Sequence, residues 1–143
     1  MTAEKYFSRL IYLNQKINAN IEELERIKAM MDSVSSPKTD GFITSKGGTS
    51  SRVESLVVKF TDLEADIDEE IFDLIDMERD ARKVLLQIEN QTQRIVLQEF
   101  YLNRRTIEAI ASSLYLTYRR VQTIKKEGLA SAQKIIDRTK GSV

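Results

Sequence analysis

The chain is most informative at "TIEAIASSLYLTYRRVQTIKK", Thr106 to Lys126, which changes character halfway along. Its first half is apolar and small, whereas its second half has two adjacent arginines and then two adjacent lysines. Thr106 and Thr117 both stand where a side-chain oxygen can cap the start of a helix. The spacing therefore predicts a short helix over about 107–114, a turn, and a longer helix over about 118–137.

The apolar positions of this segment fit two helices that pack closely across a short turn. Ala111 is small where the helices must approach each other, and Leu116 is apolar where the turn folds inward. Val121 and Ile124 then fall on the inner face of the second helix. Two helices joined in this way, the second basic at its start, form the pattern of a helix-turn-helix motif.

The outer face of the second helix is predicted to bind double-stranded DNA. Arginine can read guanine edges through two donors, glutamine can read adenine, and Lys125 and Lys126 can neutralise phosphates. The alternative is an amphipathic helix with a solvated basic face, but the turn, the small residue and the core spacing together favour DNA. The predicted DNA-binding residues are Thr117, Tyr118, Arg119, Arg120, Gln122, Thr123, Lys125 and Lys126.

These residues also resemble region 4 of bacterial sigma factors. From residue 106 to 134 the chain has the expected order: threonine, a glutamate two residues on, Ile-Ala, a turn, threonine, and a helix that contains Val and Ile. "RIVLQEFYL", residues 94–102, resembles the preceding sigma helix. With its long helical N-terminal part, the chain is similar to small sigma region 4-like regulators of late transcription in phages and prophages of Gram-positive bacteria.

The resemblance has consequences for individual positions. Tyr115 stands where sigma factors usually have glycine, and a positive φ is unfavourable for tyrosine, which leaves room for a different turn. Nothing in the chain resembles the sigma region that holds the polymerase core, so a complete sigma factor is not expected. The positions that the resemblance places against promoter bases are Tyr118, Arg119, Gln122 and Thr123, with Arg120 beside them.

Two long heptad patterns precede this segment. The first predicts a helix over about 2–34, roughly 50 Å long at about 1.5 Å per residue. Asn20 is the polar member of its apolar seam. It either sets the register or the oligomeric state, or lies where the seam meets solvent. The second pattern runs from Val53 to Ile88 with a wider apolar face, which indicates more than one packing partner.

The predicted fold class is all-α, a long antiparallel coiled-coil-like hairpin followed by a small sigma region 4-like helix-turn-helix domain. The hairpin spans residues 1–89, with a flexible linker over about 35–52 that contains the one proline and three of the five glycines. The wide apolar face predicts a homodimer through residues 1–89. Asn90 to Gln93 resembles a capping box, so residues 90–143 are predicted to form the DNA-binding domain and to fold, marginally, alone.

The charge distribution agrees with two modules. The chain has 22 basic and 22 acidic residues. Residues 1–89 contain 12 basic and 18 acidic side chains, whereas residues 90–143 contain 10 basic and 4 acidic ones. The net charges of −6 and +6 indicate different partners for the two parts. The acidic face of the second long helix is interpreted as solvated, or as a docking surface for a basic partner.

Composition argues against several classes of protein. The chain has no cysteine and no histidine, which removes the commonest general base and the commonest metal ligand. We therefore predict no enzyme activity, no catalytic residue, no cofactor, no metal and no small-molecule substrate. No apolar run approaches the roughly 18 residues of a membrane span, and no signal-peptide pattern is present. A cytoplasmic location without a membrane partner is expected.

These observations leave three functional hypotheses. The leading one is a sequence-specific DNA-binding transcriptional regulator of phage or prophage genes, with RNA polymerase as a second partner. An alternative is a phage DNA-packaging subunit that resembles a small terminase, although such proteins usually place the DNA-binding module first. The third is an interaction protein that binds RNA polymerase or a sigma factor without contacting DNA.

Overall fold

The structure is a computed structural model, and it describes residues 1–34 and 46–141. Over these two ranges the chain forms helices and short connections without a β-strand, so the all-helical prediction is confirmed. The helices are α1 (Ala3–Val34), α2 (Lys46–Leu86), α3 (Gln91–Leu97), α4 (Ile107–Leu114) and α5 (Tyr118–Gly141). Helix α3 continues directly into a π-helical segment, Gln98–Leu102.

Besides α1, where Thr2 Oγ1 accepts from the Lys5 N–H at 3.2 Å, side-chain caps set the start of three helices. In each of these caps a side-chain oxygen accepts a hydrogen bond from the backbone N–H three residues on. The pairs are Asn90 with Gln93 (3.0 Å), Thr106 with Ala109 (3.1 Å), and Thr117 with Arg120 (3.1 Å). Each cap satisfies a backbone donor that has no partner inside its helix. The predicted starts of α4 and α5 are therefore confirmed. The capping box at Asn90 forms only its first half, because the Gln93 side chain instead accepts a hydrogen bond from Ser131, at 2.8 Å.

The connection between α1 and α2 is shorter than predicted. Residues 46–52, which were assigned to a flexible linker, form the first turns of α2. Extending an existing helix is much less costly than nucleating one, and this outweighs the roughly 1 kcal/mol cost of each of Gly47 and Gly48 relative to alanine. Residues 35–45 of the predicted linker lie outside the described residues.

The chain divides into two compact units. The terminal unit contains Met1–Asn14 and Asp73–Val143, and the central unit contains Gln15–Phe72. The predicted boundary between residues 89 and 90 lies within the terminal unit. The start of α1 and the end of α2 therefore belong with α3, α4 and α5.

The terminal unit has two buried apolar clusters. In the first, the ring of Phe7 is fully buried and stacks on Tyr101, with the ring centroids 5.3 Å apart. The other residues of this cluster are Ala3, Leu10, Ala81, Leu85, Ile88, Leu97, Leu102, Ala132, Ile135 and Ile136. The second cluster holds α4 against α5 and consists of Val96, Ile107, Ile110, Ala111, Val121 and Ile124. The predicted inner faces of α4 and α5 are confirmed in these clusters.

The π-helical segment determines which side chains of residues 91–102 are buried. Helical spacing over residues 91–102 predicts that Ile95 points inward. In the structure Ile95 is 37% exposed, whereas Leu97 and Tyr101 are buried. In an α-helix, positions five apart point about 140° away from each other. The wider turn of a π-helix returns residues 101 and 102 to the face of residues 96 and 97. The segment thus buries four side chains that a continuous α-helix would spread over two faces.

In the central unit, the polar positions of the two heptad seams meet. The Asn20 amide donates to Glu70 Oε1 at 2.7 Å, and Lys16 Nζ lies 3.2 Å from Glu70 Oε2. Glu70 is only 8% exposed, so its carboxylate depends on these two partners. A shift of one helix along the other would separate them, which favours the interpretation that Asn20 sets the register.

We expect Asn20→Ala to lower the free energy of unfolding by about 1–2 kcal/mol, since Glu70 would lose a charge-assisted hydrogen bond while it keeps Lys16. Urea denaturation measures the change. Asn18 is an exposed asparagine on the same helix, and Asn18→Ala should alter stability by less than about 0.5 kcal/mol. Equal losses for the two variants would show that the pair with Glu70 does not contribute.

Candidate nucleic-acid interface

The connection between α4 and α5 is a tight turn held by backbone hydrogen bonds. The Leu116 N–H donates to the Ala111 carbonyl at 2.9 Å, and the Tyr115 N–H points to the Ser112 carbonyl at 3.4 Å. This is the pairing of a Schellman motif, which satisfies the last carbonyls of a helix. Leu116 packs against the cluster that contains Ala111, so the turn folds inward as predicted.

Tyr115 occupies the left-handed position of this motif. Its φ and ψ are 57° and 40°, a conformation that costs an L-residue roughly 1–2 kcal/mol and costs glycine almost nothing. The turn thus has the left-handed conformation that glycine usually adopts at this position, although the residue here is tyrosine. The side chain is 95% exposed, so packing within the terminal unit does not offset this cost.

The predicted DNA-binding residues lie along the first half of α5 and the residue before it. Val121 and Ile124 are buried against α4, which fixes the direction in which the opposite face points. The predicted residues that are exposed are Thr117, Tyr118, Arg119, Arg120, Gln122, Thr123 and Lys126. We call these seven residues the basic face.

Some polar groups of the basic face have a partner within the helix. The Gln122 amide donates to the Tyr118 hydroxyl at 3.2 Å, and the Thr123 hydroxyl donates to the Arg119 carbonyl at 3.1 Å. In contrast, Arg119, Arg120 and Lys126 form no ion pair with the described residues. Three positive charges are therefore available to an anionic partner.

Lys125 differs from the other predicted residues. It is half-buried, and its Nζ lies 4.1 Å from the centroid of the Phe100 ring and 5.6 Å from that of Tyr101. A cation over an aromatic ring is attracted by the electron density of the ring face. Lys125 thus stabilises the contact between α5 and the π-helical segment, and Lys126 is the lysine that points outward.

A shallow depression of about 520 Å³ lies on one side of the basic face. It is lined by Arg119, Gln122, Thr123, Lys125, Lys126 and Leu129 from α5, and by Glu4 from the first turn of α1. No pattern in the sequence indicates that Glu4 lies here, because it is more than a hundred positions away from the α5 residues that line the depression. A phosphate would be repelled by this carboxylate, so Glu4 limits the surface that can bind an anion on that side.

Burial, with a smaller contribution from the charge of Glu4, raises the pKa of Tyr101 to about 12. An unperturbed tyrosine has a pKa near 10. The folded protein therefore holds this proton more tightly than the unfolded chain does, and stability is lost as the pH rises from about 10 to about 12. The loss should be on the order of 2 kcal/mol.

Denaturation at several pH values between 9 and 12 tests this expectation. Tyr101→Phe removes the titrating group, so the difference in stability between the variant and the wild-type protein should change over that window and be constant below it. A constant difference across the whole range would contradict the raised pKa. Comparing the two proteins isolates the contribution of Tyr101.

The described residues form neither a metal-binding group nor a membrane-spanning helix. Residues 1–34 and 46–141 contain no group of three or more side chains that could hold a metal ion. None of their helices combines the length and the apolar character needed to cross a membrane.

Comparison with known proteins places the chain in a family. No curated protein and no solved structure matches it. A family model described as "Protein of unknown function (DUF1492)" matches residues 33–131. This match covers more than half of the chain, including α2, α3, α4 and the basic face of α5. The chain therefore belongs to the DUF1492 family.

Proposed function

We propose that this protein is a sequence-specific DNA-binding transcriptional regulator of phage or prophage genes. In this proposal α4 and α5 form a sigma region 4-like helix-turn-helix, and α5 is the recognition helix. The observation that supports it most is the basic face, which follows a three-residue turn. There Arg119, Arg120 and Lys126 are exposed and form no ion pair with the part of the chain that the structure describes. The assignment to phage or prophage genes comes from the sequence resemblance alone.

The geometry of B-DNA makes the first half of α5 the natural reading element. An α-helix with its side chains is about 10–12 Å wide and the major groove is about 12 Å wide, so one helix fits with its N-terminal turns deepest. Arg119 and Gln122 are three residues apart on the basic face and would meet base edges. Arg120 and Lys126 would meet phosphates. No catalytic role is part of this proposal.

Selection of bound sequences from random DNA by the purified full-length protein tests the proposal. We expect enrichment of a defined motif, and binding of that motif at least about 10³-fold tighter than random DNA at physiological salt. Without enrichment, and without binding to any duplex at about 50 mM salt, the protein is not a DNA-binding regulator, and direct binding to RNA polymerase becomes the hypothesis to test.

The long helices have a separate role in the proposal. We infer that α1 and α2 form an antiparallel hairpin and that the hairpin self-associates into a homodimer. The support is the set of large apolar side chains that α2 exposes: Val57, Val58, Ile71 and Phe72 in the central unit, and Ile75 and Leu86 in the terminal unit. Exposed apolar side chains in this number are typical of interaction surfaces.

Sedimentation at tens of micromolar tests the homodimer. Phe72→Glu should convert it into a monomer, because a carboxylate would be buried in an apolar contact. Tyr12 on α1 is a similarly exposed aromatic residue, and Tyr12→Glu should leave the mass unchanged. A monomeric wild-type protein would contradict self-association, and a ring of many copies would favour a DNA-packaging subunit.

A further inference from the structure

The presence of tyrosine at position 115 is not explained by the fold itself. The turn requires a left-handed residue, and glycine would occupy that position without strain. The chain has tyrosine there, and its side chain is 95% exposed. A costly conformation combined with an exposed aromatic side chain is a reason to look for a role outside the folded unit.

The turn holds the backbone of Tyr115 in a defined place. On one side α4 ends in the two hydrogen bonds of the Schellman motif, and on the other Leu116 is packed against the core that joins α4 to α5. The Thr117 cap then begins α5 immediately. Tyr115 therefore extends from a rigid corner, and a partner that binds it would meet little loss of backbone freedom.

The neighbours of this corner indicate what kind of partner would bind there. Tyr118, Arg119 and Arg120 form the first turn of α5, only a few residues after Tyr115. The guanidinium groups of Arg119 and Arg120 form no ion pair with the described residues, so the segment that follows Tyr115 carries unpaired positive charge. This favours a polyanion over an apolar protein surface.

We infer that the Tyr115 hydroxyl donates a hydrogen bond to a backbone phosphate of the DNA that binds the basic face. When the first turn of α5 fills the major groove, the residues just before the helix must lie beside one of the two phosphate strands that border the groove. Tyrosine hydroxyls are among the groups that contact phosphate oxygens in protein–DNA complexes. The inference rests on the proposed function and adds a contact that fixes position without reading sequence.

Two variants of the full-length protein separate this contact from a structural role. Tyr115→Phe removes only the hydroxyl and should weaken binding by about 2- to 12-fold, the value of one hydrogen bond. Tyr115→Gly removes the whole side chain and should weaken binding at least as much. It should also raise the midpoint of thermal unfolding by roughly 2–8 °C, because it removes the left-handed strain. Loss of affinity together with a gain in stability cannot come from damage to the fold.

Titrations use the selected duplex and a random duplex at several salt concentrations. The loss for Tyr115→Phe should be equal on the two duplexes, since phosphates are alike in both. The salt dependence should stay unchanged, since tyrosine releases no counterion. Tyr12→Phe removes the hydroxyl of another exposed tyrosine and should bind as the wild-type protein does.

Binding by Tyr115→Phe that equals wild-type binding on both duplexes would overturn the inference, and would leave a protein partner as the explanation for the exposed ring. A loss confined to the selected duplex would also overturn it, because that pattern belongs to a base contact. If the wild-type protein binds neither duplex, the proposed function itself has failed, which is a different and recognisable result.

Discussion

Replacing Phe7 by alanine is expected to lower the free energy of unfolding by about 3–5 kcal/mol, the largest effect of any single change considered. Phe7 is fully buried, and its ring stacks on Tyr101 and meets Tyr6 edge to face, with centroids 5.3 and 5.1 Å apart. Removing it would leave a cavity between the start of α1 and the π-helical segment. Urea denaturation followed by circular dichroism measures the change.

Tyr12→Ala provides the matched control, because Tyr12 lies on the same helix and is 71% exposed. Its effect should stay within about 0.5 kcal/mol. A loss below about 1 kcal/mol for Phe7→Ala would mean that the start of α1 is not part of the terminal unit in solution. The same core implies that a fragment of residues 90–143 would expose Leu97 and Tyr101. Such a fragment should therefore be less stable than the sequence alone predicts.

The double variant Arg119→Ala/Gln122→Ala is expected to lose about 2–6 kcal/mol of affinity for the selected DNA, which is roughly 30-fold or more. Both side chains would read base edges, and each good contact discriminates by about 1–3 kcal/mol. On random DNA the loss should be much smaller. Fluorescence titration of both duplexes gives the two values.

Lys126→Ala distinguishes base reading from charge. It should weaken both duplexes alike and reduce the slope of log K against log salt by about one unit. Lys125→Ala is the neighbouring control, because the ammonium of Lys125 lies over Phe100. This variant should lower the free energy of unfolding and leave the salt dependence of DNA binding nearly unchanged. Equal losses on both duplexes for the double variant would mean that the basic face is only an electrostatic patch.

Local signals explain why much of the fold could be predicted. Thr106 and Thr117 cap helices through contacts three residues away, so the helix starts that they predict do not depend on the rest of the molecule. The heptad positions of α1 and α2 are likewise buried or half-buried where the pattern placed them. The π-helical segment was missed, because the inward positions of Leu97 and Tyr101 follow from a core that α1, α2 and α5 complete together.

The candidate site could be predicted as a helical face but not in its details. Spacing from Val121 and Ile124 is enough to point Arg119, Gln122 and Lys126 outward. The partners of Lys125 and the place of Glu4 depend on tertiary contacts far apart in the chain, for which no local pattern exists. The backbone conformation of Tyr115 could not be predicted for another reason. The sequence shows a tyrosine where glycine is usual, but it does not show whether the turn keeps a positive φ there or changes its geometry.

Because the start of α1 belongs to the terminal unit, it can complete its contacts only late in synthesis. The Ala3 N–H is bonded to the Gln133 side chain, 130 residues further along the chain. On a translating ribosome, at about 5–20 residues per second, the apolar start of α1 would wait several seconds or longer before α5 emerged to cover it. Closing so long a loop also slows folding, because its entropy is lost before the distant contacts form. We therefore expect the contacts that α5 makes with the start of α1 to form only after translation of α5 is finished.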